Sequence, residues 1–489
     1  MTLDLPPRIG NCIDGRTVEP LGGEWFPKIN PATGERLADV ARSRAADVGR
    51  AVSSAAAAQP AWADTTPVAR GELLRAVAHA MQLRREEIAR VVALETGKST
   101  KDALGETSGA IALAGFYAGE GQRLYGRTTT SGVEGRQAMT IREPIGVAGL
   151  IAAANTPIAN VAWKLFPALV CGNAAVLKAA EDAPATAWLA HEIARDAGLP
   201  PGLFNVVQGL GEEAGAPLVA HPDVPVVSFT GSTSVGREIA GIAGRRLAKI
   251  SLELGGKNPL VVCDDADLDL AAKWVLLSAF SNAGQRCASG TRIIVFDAVY
   301  EPFRALLLER TAALRVGTGD GDDFGPVINL RQLDRMLKAL EAARARGARI
   351  LAGGARLTGP AHQAGFYLAP TLVEGTDAGD DLSTTELFGP IACLYRAKGF
   401  DEALALANDS PYGLTACIHT RSVHRAMTFA RKVAAGVAVV NAGTFGSEPH
   451  MPFGGVKQSG NGSREPGTEA LDIYSNVKDV YISTDPART

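Results

Sequence analysis

The strongest constraint on the fold is an alternation of short apolar runs with longer helical patterns that begins at Ile145. Four apolar runs of strand length follow one another, at 147–153, 174–178, 205–208 and 224–230. Helical patterns of about 10–15 residues separate them, which is typical of a parallel sheet in an α/β protein. The sequence therefore predicts an α/β fold in which these runs are neighbouring strands.

The same rhythm restarts after Gly256. Strand-like runs at 259–263 and 292–296 enclose a helical pattern at 268–283, which predicts a second α/β domain. Residues 46–95 carry apolar side chains at helical spacing and predict helices. Residues 473–482 predict an extended C-terminal tail.

Composition limits the number of domains and the class of partner. A chain of 489 residues corresponds to about two to four domains. The formal net charge of −3 argues against a nucleic-acid surface built on bulk positive charge. An uncharged stretch at 144–163 has the length of a membrane span, but its glycines, asparagines and proline predict a strand, a loop and a helix start. We therefore expect neither nucleic acid nor membrane as a partner.

The cysteines and histidines of the chain indicate a reducing compartment and no metal site in the protein. The six cysteines form no CxxC pair, and the seven histidines have no ligand spacing. This pattern predicts no metal site and no disulfide framework, and it favours a cytoplasmic location. The N-terminal residues also lack the basic head and apolar region of a signal peptide.

Two segments offer the groups needed for covalent acyl chemistry. Cys287 stands in NAGQRCA, directly after Arg286, where a nearby cation can lower a thiol pKa and make the sulfur nucleophilic. Glu253 stands between two leucines in SLELGGKNP, where desolvation would raise its pKa towards the range of a general base. The alternatives are a small buried cysteine and a strand glutamate that faces solvent.

Three further segments could bind an oxyanion or a dinucleotide. Asn155 ends an apolar run and could donate to a developing oxyanion, or could simply satisfy a turn. The glycines Gly231 and Gly236 of FTGSTSVG stand between a strand and a helix start, which suits a pyrophosphate. Lys178 and Glu181 of VLKAAE end another strand and could hold a ribose, or could form a solvated ion pair.

In this order, these segments resemble the NAD(P)-dependent aldehyde dehydrogenase superfamily, and the resemblance runs over nearly the whole chain. Other matching segments are REPIGV at 142–147, AWK at 162–164, ELFGP at 386–390, NDSPYGL at 408–414, PFGGVKQSG at 452–460 and REPG at 464–467.

The resemblance implies the aldehyde dehydrogenase fold in three parts. A Rossmann-like NAD(P)-binding domain would comprise 1–123 and 143–254, and an α/β catalytic domain would comprise 255–460. A small β oligomerisation element would combine 124–142 with 470–485. The implied assembly is a homodimer or a homotetramer.

The resemblance also implies a role for each matching residue. Cys287 would be the nucleophile and Glu253 the general base, while Asn155 and the backbone N–H of Cys287 would form the oxyanion hole. Lys164 and Glu465 would relay protons from the base. The residues implied to hold NAD, with NADP as the alternative, are Lys178, Glu181, Gly231, Ser232, Gly236, Leu254, Glu386 and Phe388.

The implied reaction oxidises a small aldehyde to an acid. The thiol adds to the aldehyde, the thiohemiacetal gives up a hydride to NAD(P), and the thioester is hydrolysed with Glu253 as base. Glu181 near the ribose favours NAD over NADP, although Lys178 could tolerate a 2′-phosphate. The alternatives are a catalytically silent relative with a binding role and a reductive or CoA-dependent enzyme of the same fold.

The substrate is indicated by a narrower resemblance. SEPHMPFGG and NGSREPGTEALDIYS resemble oxo-acid semialdehyde dehydrogenases, which implies a substrate with a distal carboxylate. Arg286 would bind that carboxylate, or would be a structural ion-pair partner, and the substrate could instead be a neutral aliphatic or aromatic aldehyde. Ala153, Ala154 and Thr156 stand where the family commonly has Pro, Trp and Phe. This departure predicts a wider or more polar tunnel, lined by Thr156 and Asn160.

Overall fold

The computed structural model describes residues 5–377 and 379–484. Parts of the predicted segments, namely residues 1–4, 378 and 485, lie outside these ranges. Two seven-stranded sheets with helices packed on their faces carry the fold. This arrangement confirms the α/β prediction.

The first sheet contains the strands predicted from 147 to 230. In spatial order its strands are Lys249–Glu253, Val226–Thr230, Val147–Ile151, Ala174–Lys178, Phe204–Val207, Asn11–Ile13 and Arg16–Val18. The first five are parallel and the last two antiparallel. Strands covered on both faces read as continuous apolar runs, which explains why the sequence pattern located them. The N-terminal pair of strands was not predicted.

Helices surround this sheet, and the predicted helical stretch 46–95 is confirmed as three separate helices. The helices are Ala45–Asp64, Pro67–Leu83, Arg85–Thr96, Thr100–Glu120, Pro157–Val170, Pro184–Asp196, Ala216–Ala220 and Thr233–Arg245. The uncharged stretch 144–163 divides between a strand and a helix, as predicted. Within the described ranges, no helix combines the length and apolar character that crossing a membrane requires.

The second sheet begins after the first one ends. In spatial order its strands are Arg349–Ala352, Thr371–Glu374, Ile391–Ala397, Gly290–Phe296, Asn258–Val262, Thr415–His419 and Val437–Val440. Its helices are Leu268–Phe280, Asp297–Ala312, Leu330–Ala345, Asp381–Thr384, Phe400–Asn408 and Val423–Lys432. A separate apolar core fills each face of this sheet. The predicted restart of the α/β pattern is therefore confirmed.

Small sheets complete the fold. The strand Ser475–Ser483 pairs antiparallel with Arg136–Pro144, which in turn pairs with Thr128–Thr130. This pairing joins the two segments assigned by resemblance to oligomerisation, although that role stays a prediction. The other small strands are Arg8–Ile9, Arg36–Ala41, Trp25–Ile29, Tyr412–Gly413 and Val456–Lys457, and a short helix spans Ala470–Tyr474.

The chain order reverses within the first sheet. The strand Val147–Ile151 is followed by Ala174–Lys178 on one side, whereas Val226–Thr230 pairs with its other side. Ligands of open α/β sheets bind at the carboxyl ends of the strands, next to such a reversal. The segments that follow these strands therefore mark the position of a functional site.

Asn173 provides a test of how the C-terminal segment is held to the first sheet. Its Oδ1 accepts from the N–H groups of Ile145 at 2.7 Å and Gly146 at 2.9 Å. Its Nδ2 donates to the carbonyl oxygens of Ala168 at 3.0 Å and Tyr474 at 2.7 Å. We expect Asn173→Ala to lower stability by about 3 kcal/mol, because buried partners lose their hydrogen bonds.

The measurement is the midpoint of thermal and denaturant unfolding. The matched control is Asn476→Ala, at an exposed position of the same C-terminal segment, which should change stability by about 0.5 kcal/mol or less. Equal unfolding midpoints for the two variants would contradict the conclusion that Asn173 holds the C-terminal segment to the first sheet.

Candidate active site

The site forms where the chain crosses from the first sheet to the second. Glu253 ends a strand of the first sheet, and Asn258 begins a strand of the second. Between them, a Cβ added to Gly256 would stand only 2.3 Å from the carbonyl oxygen of Cys287. A glycine is therefore required at this position for the two backbones to approach each other.

Asn258 fixes the cysteine loop to the second sheet. Its Nδ2 donates to the carbonyl oxygens of Cys287 at 2.7 Å and Ser289 at 2.9 Å. Its Oδ1 accepts from the N–H of Thr415 at 3.0 Å. This buried amide joins the loop before the strand Gly290–Phe296 to the start of the strand Thr415–His419, so it sets the height of the loop above the sheet.

Cys287 is partly exposed, whereas the other cysteines are buried. It packs in an apolar cluster that includes Trp163, Phe445 and Phe453. Burial, with a smaller effect of the charges on Glu386 and Glu253, raises the pKa of the Cys287 thiol to about 12. The sequence-based expectation of a lowered pKa beside Arg286 is therefore wrong for the ligand-free protein, because desolvation outweighs the effect of the cation.

Asn155 lies beside the cysteine loop. Its Nδ2 donates to the carbonyl oxygen of Gln285 at 3.0 Å, two residues before the thiol. Its own carbonyl accepts from Lys98 Nζ at 2.8 Å and from Asn282 Nδ2 at 3.2 Å. The amide retains a second N–H, so the geometry is compatible with the predicted oxyanion donor.

Glu253 occupies a dry position. The residue is 3% exposed, and neither carboxylate oxygen has a hydrogen-bond partner within residues 5–377 and 379–484. Burial raises the pKa of this carboxyl well above its usual value; the charge on Glu465 adds to the effect and Lys164 opposes it. The alternative of a solvent-facing strand glutamate is therefore wrong.

Lys164 and Glu465 form a fully buried ion pair next to this carboxyl. Lys164 Nζ lies 2.8 Å from Glu465 Oε2 and donates to Ser228 Oγ at 2.7 Å. Glu465 Oε1 accepts from Ser228 Oγ at 2.8 Å and from the Tyr474 hydroxyl at 3.1 Å. Sequence reasoning missed Ser228 and Tyr474. A serine within the apolar run VVSFT was the available signal, because a buried hydroxyl needs a partner.

FTGSTSVG places a helix start at the carboxyl edge of the first sheet. Ser232 precedes the helix Thr233–Arg245, and its Oγ accepts from the N–H of Val235 at 3.5 Å. A Cβ on Gly236 would stand 2.5 Å from Leu254 Cδ2, so the helix packs tightly on the crossing segment. A helix N-terminus with free N–H groups at this edge suits a pyrophosphate.

Lys178 and Glu181 lie at the end of the neighbouring strand. Lys178 is 3% exposed, and its Nζ donates to Glu181 Oε2 at 3.3 Å. Burial lowers the pKa of Lys178. Lys178 is therefore buried, unlike the lysine of the solvated ion pair that was the alternative prediction. Its remaining N–H groups suit ribose hydroxyls.

Glu386 lies over the glycines of the crossing segment. Its Oε1 accepts from the N–H of Gly256 at 3.0 Å, and a Cβ on Gly255 would stand 2.1 Å from its Oε2. Burial raises the pKa of Glu386 to about 7. Phe388, two residues on, has a φ of 60°. The predicted nicotinamide-ribose residue is thus brought close to Cys287, whose pKa its charge raises.

The predicted substrate residues differ in their surroundings. Arg286 stacks on Phe445 with 4.7 Å between its guanidinium carbon and the ring centroid, and its buried Nε has no partner in the described ranges. No ion pair of Arg286 occurs there either, but the charges on Asp102 and Glu106 act on its pKa, so the structural alternative stays open. Asn160 Nδ2 donates to the carbonyl oxygen of Thr156 at 3.0 Å and to its Oγ1 at 2.9 Å, within the first helical turn.

One side-chain cluster has the elements of a metal site. The ligand atoms of Cys12, His191 and Glu192 lie within 4.8 Å of one another. However, Arg195 Nη1 already donates to Glu192 Oε1 at 2.8 Å, and burial raises the pKa of the Cys12 thiol to about 12. A cation would have to displace the arginine and deprotonate this thiol, so the cluster is a poor metal site.

Comparison with known proteins agrees with this geometry. Residues 18–480 match the aldehyde dehydrogenase family. The chain is 39% identical over 475 residues to the alpha-ketoglutaric semialdehyde dehydrogenase of Bacillus subtilis, covering 96% of this chain and 97% of the relative. This chain belongs to the aldehyde dehydrogenase family. The predicted family resemblance and enzyme class are therefore confirmed.

Solved structures show the same aldehyde dehydrogenase fold. A betaine aldehyde dehydrogenase of Staphylococcus aureus, solved in complex with NAD+, superposes with a TM-score of 0.96 at 31% identity, covering 98% of this chain and 95% of that chain. HpcC from Thermus thermophilus gives a TM-score of 0.94 at 37% identity, covering 98% and 94% of the two chains. These matches confirm the predicted fold.

The thiol of this aldehyde dehydrogenase should be slow to alkylate without ligands. Because the pKa of Cys287 is about 12, the reactive thiolate fraction should rise about tenfold per pH unit between about pH 7 and pH 10. We expect iodoacetamide labelling of Cys287, followed by mass spectrometry, to rise in the same way without a plateau. Cys287→Ser controls for labelling elsewhere, and a plateau near pH 9 would contradict the environment described above.

Proposed function

We propose that this aldehyde dehydrogenase oxidises a semialdehyde with a distal carboxylate, using NAD+ and water. The observation that carries the reaction is the position of Cys287 between the loop of Asn155 and two carboxyls, the buried Glu253 and the half-buried Glu386, both of which act on its pKa. A nucleophile, an oxyanion donor and a base are therefore gathered around one sulfur.

The residues at the carboxyl edge of the first sheet fit NAD+. Lys178 and Glu181 would hold the adenosine ribose, and Ser232 with the following helix start would face the pyrophosphate. Gly231, Gly236 and Leu254 shape this part of the cleft, while Glu386 and Phe388 would flank the nicotinamide ribose. The carboxylate of Glu181 would repel a 2′-phosphate and so favours NAD+ over NADP+. NAD+, when bound, accepts the hydride.

The first half of the reaction forms a bond between sulfur and carbon. The Cys287 thiol loses its proton to solvent water, and the sulfur attacks the aldehyde carbon. Asn155 Nδ2 and the backbone N–H of Cys287 hold the resulting oxyanion. One such donor contributes about 3–4 kcal/mol to transition-state stabilisation. Loss of hydride from this thiohemiacetal leaves a thioester on Cys287.

The second half hydrolyses the thioester. Glu253, in its ionised form, takes a proton from water as the water oxygen attacks the thioester carbonyl. The tetrahedral species collapses, the acid leaves and the Cys287 thiolate is regenerated. Glu465 and Lys164 lie next to the base and would pass its proton onward, with Ser228 and Tyr474 holding the Glu465 carboxylate.

The carboxylate specificity rests on Arg286 and on the named relative from Bacillus subtilis. The guanidinium is stacked on Phe445 beside the nucleophile and has a buried Nε without a partner in the described part of the chain. A charged donor in this state is ready to pair with a substrate carboxylate. The rings of Trp163 and Phe453 meet edge to face, with 5.4 Å between their centroids, and provide an apolar wall for the carbon chain of the substrate. The same wall is the observation that favours a neutral aldehyde as the second candidate.

The remaining proposals concern assembly and location. The strand Ser475–Ser483 lies at the edge of its sheet and exposes Val477 and Tyr481, so we propose that it pairs with another subunit in a homodimer or homotetramer. We also propose that the first sheet is the core of the cofactor domain and the second that of the catalytic domain. The free cysteines support a cytoplasmic location.

Glu253→Gln should separate the two halves of the reaction. Without the base, thioester hydrolysis should slow by about 100-fold or more, whereas hydride transfer still occurs once per site. We expect a rapid burst of about one NADH per subunit in stopped-flow measurements, followed by slow turnover. Cys287→Ala should show no burst, and a silent relative would show none in any variant.

The reaction product provides the control for the acyl acceptor. The wild-type enzyme should release free acid even when CoA is added. Steady-state turnover of Glu253→Gln equal to wild type, or acyl-CoA as the main product, would contradict hydrolysis with Glu253 as base.

Arg286→Met should discriminate between the two substrate classes. The loss of a charged hydrogen-bonding partner should raise the KM for an ω-oxo acid by about tenfold or more. The KM for a neutral aldehyde of equal length should change by less than about twofold. Arg286→Lys, which keeps the charge, is the matched control and should retain part of the preference. An equal loss on both aldehydes would favour the neutral-aldehyde candidate.

A further inference from the structure

One buried ion pair holds the loop that carries Asn155. Lys98 Nζ lies 2.6 Å from Glu106 Oε2, and the two side chains are only 3% and 5% exposed. Lys98 Nζ also donates to the carbonyl oxygen of Asn155 at 2.8 Å. The lysine therefore fixes the backbone at the residue proposed to bind the oxyanion.

Glu106 holds the other end of this loop. Its Oε1 accepts from the N–H groups of Ile158 at 3.0 Å and Ala159 at 3.4 Å, at the start of the helix Pro157–Val170. Thr156, at the position before that helix, makes no capping hydrogen bond with its side chain. Glu106 takes over the capping role from outside the helix, and its charge suits the positive helix end.

The side chain of Asn155 is held less firmly than its backbone. Among the residues that the structure describes, its amide makes one hydrogen bond, to the carbonyl oxygen of Gln285, and Asn282 Nδ2 donates to the same oxygen at 3.2 Å. The direction in which Asn155 Nδ2 points thus depends on where the backbone of Asn155 stands. Displacements of about 1 Å at a reacting centre can cost about 100-fold in rate.

We propose that Lys98 and Glu106 are positioning residues that aim the Asn155 amide at the carbonyl oxygen of a substrate bound to Cys287. Lys98 sets the height of the Asn155 backbone, and Glu106 sets the helical turn that follows. The proposal rests on the proposed function of Asn155 in the oxyanion hole. A purely structural role for the ion pair would affect folding without acting through Asn155.

A double-mutant cycle between Lys98→Met and Asn155→Ala separates these roles. We expect Asn155→Ala to lower kcat/KM by about 100- to 1000-fold. Lys98→Met alone should lower it by about 100-fold. The double variant should lie within about threefold of Asn155→Ala, because the lysine has no effect once the amide is gone. If the double variant instead lost kcat/KM by the product of the two single losses, the proposal would be overturned.

The assay uses a neutral aldehyde, because the charge on Glu106 also acts on the proposed carboxylate-binding Arg286. The matched control is Lys28→Met. Lys28 is equally buried, at 3% exposure, and donates at 2.8 Å to a different backbone carbonyl, that of Glu95. We expect this control to change kcat/KM by less than about threefold. A loss as large as that of Lys98→Met would mean that removing any buried lysine has this effect, and would overturn the proposal.

Folding and cofactor binding are checked separately. Lys98→Met leaves Glu106 buried without its cation, so the variant Lys98→Met with Glu106→Gln, which removes both charges, replaces it in the cycle if the single variant unfolds. NADH binding, measured by fluorescence titration, should stay within about twofold of wild type in each variant. If Asn155→Ala itself turned over normally, the oxyanion role would fail together with this proposal. If Asn155→Ala were slow and the double variant lost kcat/KM by the product of the two single losses, only the positioning role would be rejected.

Discussion

The active site depends on the close approach of two backbones, at Gly256 and at Cys287. The first belongs to the segment that leaves the first sheet after Glu253, the proposed base, and the second belongs to a loop of the second sheet. A Cβ at position 256 would stand only 2.3 Å from the Cys287 carbonyl oxygen. Any side chain there would therefore push the segment after Glu253 away from the loop that carries Cys287. The adjacent amide of Asn258 then fixes the separation from the other side.

Burial governs the charges gathered at this contact. It raises the pKa values of Cys287, Glu253 and Glu386 together, so burial favours the neutral form of each of these groups in the ligand-free site. Lys164 and Glu465 form the contrasting case, because their buried charges are paired and surrounded by hydroxyl donors. The site therefore combines a satisfied ion pair with a reactive group whose protonation depends on what enters the cleft.

Much of this arrangement could be predicted from the sequence. The rest depends on contacts between residues that are far apart in the chain. Apolar runs located the parallel strands, because strands covered on both faces contain few polar residues. The segments around Cys287, Glu253 and Asn155 carried a family resemblance. Lys98 was missed because nothing in its local sequence shows that it reaches Asn155, 57 residues further on. The raised pKa of Cys287 was missed for a similar reason: the adjacent arginine is visible in the sequence, but the surrounding apolar walls are not.

The hydroxyl of Tyr474 reaches the carboxylate of Glu465 in the deepest part of the site. The next residue, Ser475, opens the outermost strand of a surface sheet. One peptide bond thus separates the interior acid network from the rim of the molecule. Movement of that rim strand therefore has a short mechanical route to the buried ion pair of Lys164 and Glu465.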